Sequence, residues 1–261
     1  MIRALYSART GMNGQQTQLD VISNNLANVN TDGFKKSRTQ FEDLYYQSMR
    51  AVGAETVSGS MVPTGVQVGL GTRVTAIQKI FTEGQITETG NDLDLAIEGD
   101  GFFKIIRDGN TYYTRDGSFK RDATGYIVTA NGDRLQPEFA IPAGTTSINI
   151  DKSGMLVAQD SNQKTLGTIQ LTLQSFINPA GLKSVGGNLY VETDASGPPT
   201  EANPGTNGLG DLAQNYLETS NVNVTEEMVN LIITQRAYEV NSKAITTADQ
   251  LLQIANGLKP T

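Results

Sequence analysis

The 261-residue chain contains neither cysteine nor histidine. Disulfides, cysteine nucleophiles, Ser-His-Asp triads and the usual zinc sites are thereby excluded. Charge is scarce as well: Asp, Glu, Lys and Arg make up 18% of residues, against about a quarter in an average globular chain. The net charge is −7, which argues against a nucleic-acid partner, because such binding rests on a basic surface. No run approaches the roughly 18 apolar residues of a membrane helix, so membrane insertion is not expected. Met1 to Arg9 lack the continuous apolar core of a Sec signal peptide, and export by that route is not expected either. No cofactor is implied. Ser, Thr, Asn and Gln fill the gap left by charge. These neutral groups hydrogen-bond while repelling neighbours weakly, which suits packing against copies of the same chain.

What is present is concentrated at the two ends. Leu5, Ala8, Met12, Gln15, Leu19, Ile22, Leu26 and Val29 follow a 3-4 spacing in which only Gln15 is polar. That pattern predicts an amphipathic helix, stopped by the polar stretch from Asn28 to Gly33. Near the other end Asn223 is placed to cap a second helix, with Glu226 three residues on. One seam of this helix runs Met228, Leu231, Gln235, Tyr238, Ser242, Ile245, Asp249, Leu252; a second runs Ile233, Ala237, Val240, Ala244, Thr247, Leu251, Ile254, Leu258. Two adjacent seams give more apolar face than a single partner helix covers. The apolar members of all three stripes are therefore candidate contacts between molecules. Gln15, Gln235, Ser242 and Asp249, polar residues inside the pattern, are candidates for fixing register.

Between the ends the periodicity changes. Leu93, Leu95 and Ile97 alternate, as do Ile148 and Ile150, Met155 and Val157, and Ile169, Leu171 and Leu173. Asp108-Gly109, Asp116-Gly117, Asn131-Gly132 and Ser153-Gly154 separate such runs and predict hairpins. The expectation is an α+β chain with a mostly antiparallel β domain inserted between terminal helices. Its divisions are an N-terminal helix over 1–34, an extended arm over 35–75, a β-rich centre over 76–212, and a return segment with the C-terminal helix over 213–261. Residues 51–65 are Gly-, Ser- and Val-rich and read as the arm itself; residues 195–211 are dense in Pro and Gly and mark the exit from the β domain.

Catalytic and binding motifs fare poorly. Gly69-Leu70-Gly71 and Gly99-Asp100-Gly101 never extend to a nucleotide-loop pattern and read as turn or bulge glycines. Asp92, Asp94, Glu98 and Asp100 lack the ligand order of a calcium loop. Ser161-Asn162-Gln163-Lys164 matches the S-x-x-K nucleophile motif of penicillin-binding enzymes, yet it falls in a hydrophilic turn without the companion motifs. A peptidoglycan-acting Ser/Lys enzyme is kept only as a remote alternative.

Several stretches resemble a known family. Ser23-Asn24-Asn25-Leu26-Ala27-Asn28-Val29-Asn30-Thr31-Asp32-Gly33-Phe34-Lys35 is similar to the N-terminal signature of the bacterial flagellar rod and hook axial proteins. So are Gly99-Asp100-Gly101-Phe102-Phe103 followed by Tyr113-Thr114-Arg115-Asp116-Gly117-Ser118-Phe119, in the β domain. Glu218-Thr219-Ser220-Asn221-Val222-Asn223-Val224 and Gln235 to Lys243 match its C-terminal part. The arm ending Leu70-Gly71-Thr72-Arg73-Val74, with the overall length, points to the distal rod branch rather than to proximal rod or hook proteins. The resemblance implies no enzyme but a helical homopolymer: a rigid hollow shaft carrying torque from motor to hook across the periplasm. It also implies terminal helices pairing coiled-coil-like in the tube wall and the β domain outside. The implied partners are proximal rod and hook-side axial proteins, the surrounding ring bushings, and the flagellar type III export apparatus.

Overall fold

A computed structural model describes residues 2–50 and 64–257. The 51–65 stretch, apart from its last two residues, and Leu258 lie outside the described residues. Two compact units are present. The first comprises Met1–Leu26, Ser37–Gln78 and Val224–Thr261; the second comprises Ala27–Lys36 and Lys79–Asn223.

Two long helices dominate the first unit. Helix α1 spans Ile2–Ala27, so Val29, counted in the stripe above, lies just past its end. Helix α2 spans Val224–Gly257, starting directly after Asn223, and at 1.5 Å per residue is about 51 Å long. Glu226 and Glu227 occupy its first turn, where the helix dipole favours negative charge. Among the described residues the unit also holds two short antiparallel ladders, Ser37–Asp43 with Thr72–Lys79 and Tyr46–Arg50 with Val66–Gly69. Residues that read as an extended arm on either side of position 51 are thus paired strands. Alternation there is weak, with Tyr46–Arg50 exposed throughout, so periodicity gave no strand signal.

The second unit is β-rich and antiparallel. Its main sheet has seven strands, in the order Lys183–Gly186, Leu189–Val191, Asn110–Thr114, Phe103–Arg107, Arg134–Gln136, Ile127–Val128, Lys120–Arg121. A three-stranded sheet, Ser147–Ile150, Met155–Gln159, Thr165–Gln170, and three paired ladders complete it. Asp108-Gly109 makes the predicted hairpin, with Arg107 facing Asn110 and positive φ at both turn residues. Asn131-Gly132 and Ser153-Gly154 also lie between paired strands. Asp116-Gly117 does not make a hairpin. Gly117 lies against the Leu95 backbone, whose amide it receives at 3.1 Å, while the Asp116 carboxylate accepts the Ser118 amide and hydroxyl.

The main core packs Leu95, Ile97, Phe103, Ile105, Phe119, Leu135, Leu156, Leu173 and Leu212. In Met155–Gln159 the buried face is Leu156 and Ala158, with Met155 exposed, one residue out of phase with the alternation read above. Both registers of Met-Leu-Val-Ala are apolar, and the fully buried Leu156 settles which is used. A second cluster joins Phe102, Tyr113, Phe176, Leu182 and Tyr190, with Phe81 against it, through edge-to-face ring contacts 4.8–6.0 Å between centroids.

Burial, with Glu192 close by, pushes the Tyr113 phenol up to about 12, and burial raises Tyr190 as well. The unfolded chain loses these protons first, near the ordinary value of 10.0. The folded state therefore binds more protons between 10 and about 12, and stability falls as pH rises through that window. In an alkaline titration followed by phenolate absorbance, Tyr113 and Tyr190 are expected to ionise only as circular dichroism reports unfolding. Ionisation of all nine tyrosines before any loss of structure would contradict this packing.

Candidate functional site

In the first unit two contacts between α1 and α2 fix their relative direction. A side chain at Gly11 would stand 3.0 Å from the Asn241 amide nitrogen, and Asn25 donates to Glu227 at 3.3 Å. The two contacts are fourteen residues apart on each helix and run in opposite senses, so the helices are antiparallel. Asn25, 1% exposed, does more than touch α2. Its amide brackets Ser37, donating to the Ser37 carbonyl and accepting the Ser37 amide, both at 2.9 Å. One side chain thus takes the place of a neighbouring strand. Gly14 lies against the Phe41 ring and Gly71 against Ser7 and Thr10, so small residues let strand and loop approach α1 closely.

The covered side of α2 follows a 3-4 rhythm: Glu227, Thr234 and Ala248 are buried, and Leu231, Tyr238, Asn241, Ile245 and Leu252 are half-buried. Leu231, Tyr238, Ile245 and Leu252 belong to the first seam read from sequence. The alternate positions are shifted by one residue, so Gln235 and Asp249 stand exposed beside the covered stripe. Asn25, Asn241 and Glu227, not flagged from sequence, make the specific contacts instead. Polar side chains at 3-4 spacing were readable as part of a stripe only if amides and a carboxylate were allowed inside it.

The apolar residues of α2 largely face away. Ile233 is 61%, Val240 67%, Leu251 51% and Ile254 61% exposed; Ala244 is exposed and Ala237 half-buried. Met228, Val229 and Ile232 are also exposed. On α1, Ile22 is buried and Leu5, Met12, Leu19 and Leu26 are half-buried. The second seam is therefore an apolar surface within its own unit, of the kind that marks an interaction face.

In the second unit the motifs that carried the family resemblance converge. Lys35 is fully buried; its ammonium donates to the Thr82 carbonyl at 2.8 Å and to Glu218 Oε1 at 2.5 Å. The same oxygen accepts the Gly84 amide at 2.8 Å. Arg115 Nε lies 3.4 Å from Glu218 Oε2, and its guanidinium donates to the Gly99 and Gly101 carbonyls at 2.7 and 3.0 Å. Gly99-Asp100-Gly101 therefore turns carbonyls, not amides, towards its ligand, and that ligand is an arginine. Asn221 accepts the Lys36 amide at 2.7 Å and donates to the Ile80 and Thr82 carbonyls. Gly33, with φ of +68°, donates to the Glu218 carbonyl and packs on the Arg115-Asp116 backbone, where a side chain has no room. Burial and the Arg115 charge hold the Lys35 ammonium below the usual lysine range, against the pull of Glu218.

The chemical candidates take ordinary places. Ser161 and Lys164 are exposed in the turn between Met155–Gln159 and Thr165–Gln170, where the Ser161 amide bonds Asp160. The Asp94 carboxylate accepts Thr89 and Asn91, and among the described residues no acidic group could hold a metal ion. An open apolar helix face and sequence motifs gathered into a buried clasp are the marks of a structural protein.

Comparison with known proteins agrees. Residues 5–35 match the family described as flagella basal body rod protein, 96–158 the flagellar hook protein FlgE/F/G D1 domain, and 213–258 the flagellar basal body rod FlgEFG protein C-terminal family. Over 97% of its length the chain is 50% identical to the flagellar basal-body rod protein FlgG of Buchnera aphidicola, covering 98% of that protein. It is 47% identical to the FlgG of Borreliella burgdorferi, with 99% of each chain covered. Identity to the Bacillus subtilis FlgG is 42%, over 99% of this chain and all of that one. The chain belongs to the flagellar basal-body rod protein FlgG family, whose members are structural and not enzymes.

The clasp sets a clear expectation. Lys35→Met should lower unfolding free energy in urea by about 3–5 kcal/mol, the cost of breaking a buried pair on one side. Lys35→Met with Glu218→Gln should cost less than the two changes summed. A single-variant loss below about 1 kcal/mol, typical of exposed pairs, would show that the clasp does not tie the unit together.

Proposed function

We propose that the chain is a subunit of the flagellar distal rod that polymerises helically with copies of itself into a rigid hollow shaft transmitting torque from motor to hook. The observation that carries this reading is the outward apolar face of α2 in a protein of this family. Ile233, Val240, Leu251 and Ile254 stay at least half exposed in their own unit, and neighbouring copies supply the cover. Burying roughly 1,000 Å² of such surface yields about 25 kcal/mol before ordering entropy is subtracted. A head-to-tail contact that does not close on itself gives an open filament.

In this reading residues 1–34 and 213–261 form the inner wall, 35–75 stiffens it as an arm between subunits, and 76–212 makes the outer layer. The half-buried Leu5, Met12, Leu19, Leu26 and Val29, and Leu258 at the far end, complete the contacts between copies in a coiled-coil-like wall. Proximal rod and hook-side axial proteins adjoin the two ends of the shaft and ring bushings surround it. The shaft lies in the basal body and spans the periplasm, and its subunits arrive through the flagellar type III apparatus.

Electron microscopy of the purified protein over a range of concentrations tests this directly, with straight tubes expected at high concentration. Leu251→Asp is expected to leave the far-ultraviolet circular dichroism unchanged, because the side chain is half exposed in the subunit, while abolishing tubes and swimming. Tubes and motility equal to the parent would remove α2 from the interface.

A further inference from the structure

Four Asn-Gly pairs occur in the sequence: Asn13-Gly14, Asn131-Gly132, Asn207-Gly208 and Asn256-Gly257. The structure treats them differently. Asn13-Gly14 lies inside α1, where helical bonding engages the glycine amide, and Gly14 is buried. The Gly132 amide donates to the Thr129 carbonyl at 2.9 Å. Asn256-Gly257 closes the last turn of α2. Asn207 and Gly208 are both exposed, with φ of +52° and +78°. They form the centre of a tight turn closed by the Leu209 amide on the Thr206 carbonyl at 2.9 Å. Positive φ at both central positions is the type I′ geometry that selects Asn-Gly. Among the described residues the Gly208 amide donates no hydrogen bond, and nothing stands within 4 Å of where a Gly208 side chain would be.

We propose that Asn207 is a site of spontaneous modification, deamidating through a cyclic imide with Gly208 faster than Asn13 or Asn131. The Gly208 backbone nitrogen gives up its proton and bonds to the Asn207 side-chain carbonyl carbon. The bond from that carbon to the side-chain nitrogen breaks, and ammonia leaves with the proton. Water then opens the five-membered ring at either carbonyl, leaving aspartate or isoaspartate. The balance is one water in and one ammonia out, with no oxidant or cofactor. Glycine permits the step because it has no side chain to hinder the approach of its nitrogen, and exposed loop tips leave the chain free to move into it.

The position gives the change a structural readout. Leu209, buried in the main core, follows the pair directly, and the Gly210 amide donates to the Asp100 carbonyl at 2.8 Å. Next comes Asp211–Gln214, paired with Leu95–Glu98. Isoaspartate inserts an extra backbone carbon just ahead of this anchored run, and either product adds one negative charge. Each subunit would thus carry a chemical record of its age.

The full-length protein should be aged in mildly alkaline buffer, digested, and mapped by mass spectrometry, with isoaspartate labelled by an isoaspartyl methyltransferase. Asn207 is expected to convert about tenfold ahead of Asn13 and Asn131 in the native protein, because local opening must precede reaction at the other two. In urea the three rates should converge. Asn207→Gln, whose longer side chain cyclises far more slowly, should remove the early isoaspartate signal without altering circular dichroism. Native Asn13 or Asn131 converting as fast as Asn207, or an undiminished early signal in the Asn207→Gln protein, would overturn the proposal.

Discussion

The β-rich unit depends on burying a carboxylate between two cations with almost no water. Removing an ion from water costs several kcal/mol even after relaxation, so such a group is tolerated only when its hydrogen bonds are met. Glu218 Oε1 meets the condition with Lys35 and the Gly84 amide, while Oε2 accepts no hydrogen bond among the described residues and is balanced by the Arg115 charge 3.4 Å away. Each partner is itself held: Lys35 by the Thr82 carbonyl, Arg115 by two glycine carbonyls. The segment that follows α1 and the segment that leads into α2 are thereby locked to the same few atoms. A displaced member would leave a bare charge in the interior, so the arrangement tolerates one geometry only.

The terminal elements were legible because they depend on local pattern. Apolar spacing placed α1 and α2 to within a few residues, and Asp108-Gly109, Asn131-Gly132 and Ser153-Gly154 marked turns through the backbone freedom of glycine. Asp116-Gly117 has the same local chemistry and does something else, because its glycine is needed where the chain passes against Leu95. The phase of Met155–Gln159 was ambiguous for a similar reason: both of its faces are apolar, and only the partner sheet chooses between them. Ladder pairing on either side of position 51 carried no periodic signal, since its side chains are mostly exposed.

The clasp was invisible to pattern reading. Lys35 and Glu218 are 183 positions apart, and neither looks unlike a surface charge in its own neighbourhood. The resemblance to rod and hook proteins drew attention to the right stretches while saying nothing of what they do. Only the folded chain shows that three signatures meet at one carboxylate. The register of α2 failed in an instructive way. Treating polar residues as interruptions put Gln235 and Asp249 in the seam, whereas the chain seats Glu227, Thr234 and Asn241 there beside Leu231, Ile245 and Leu252, and leaves Ile233, Val240, Leu251 and Ile254 outside.

That inversion makes the two sides of α2 differ in thermal character. The side turned to α1 adds the Asn25–Glu227 hydrogen bond to its apolar contacts, and such a directional bond keeps its strength as water cools. The opposite side carries Ile233, Val240, Leu251 and Ile254 as open hydrocarbon, and attraction between hydrocarbon surfaces fades at low temperature. Chilling should therefore loosen whatever rests on the outer side well before it disturbs the grip of one helix on the other.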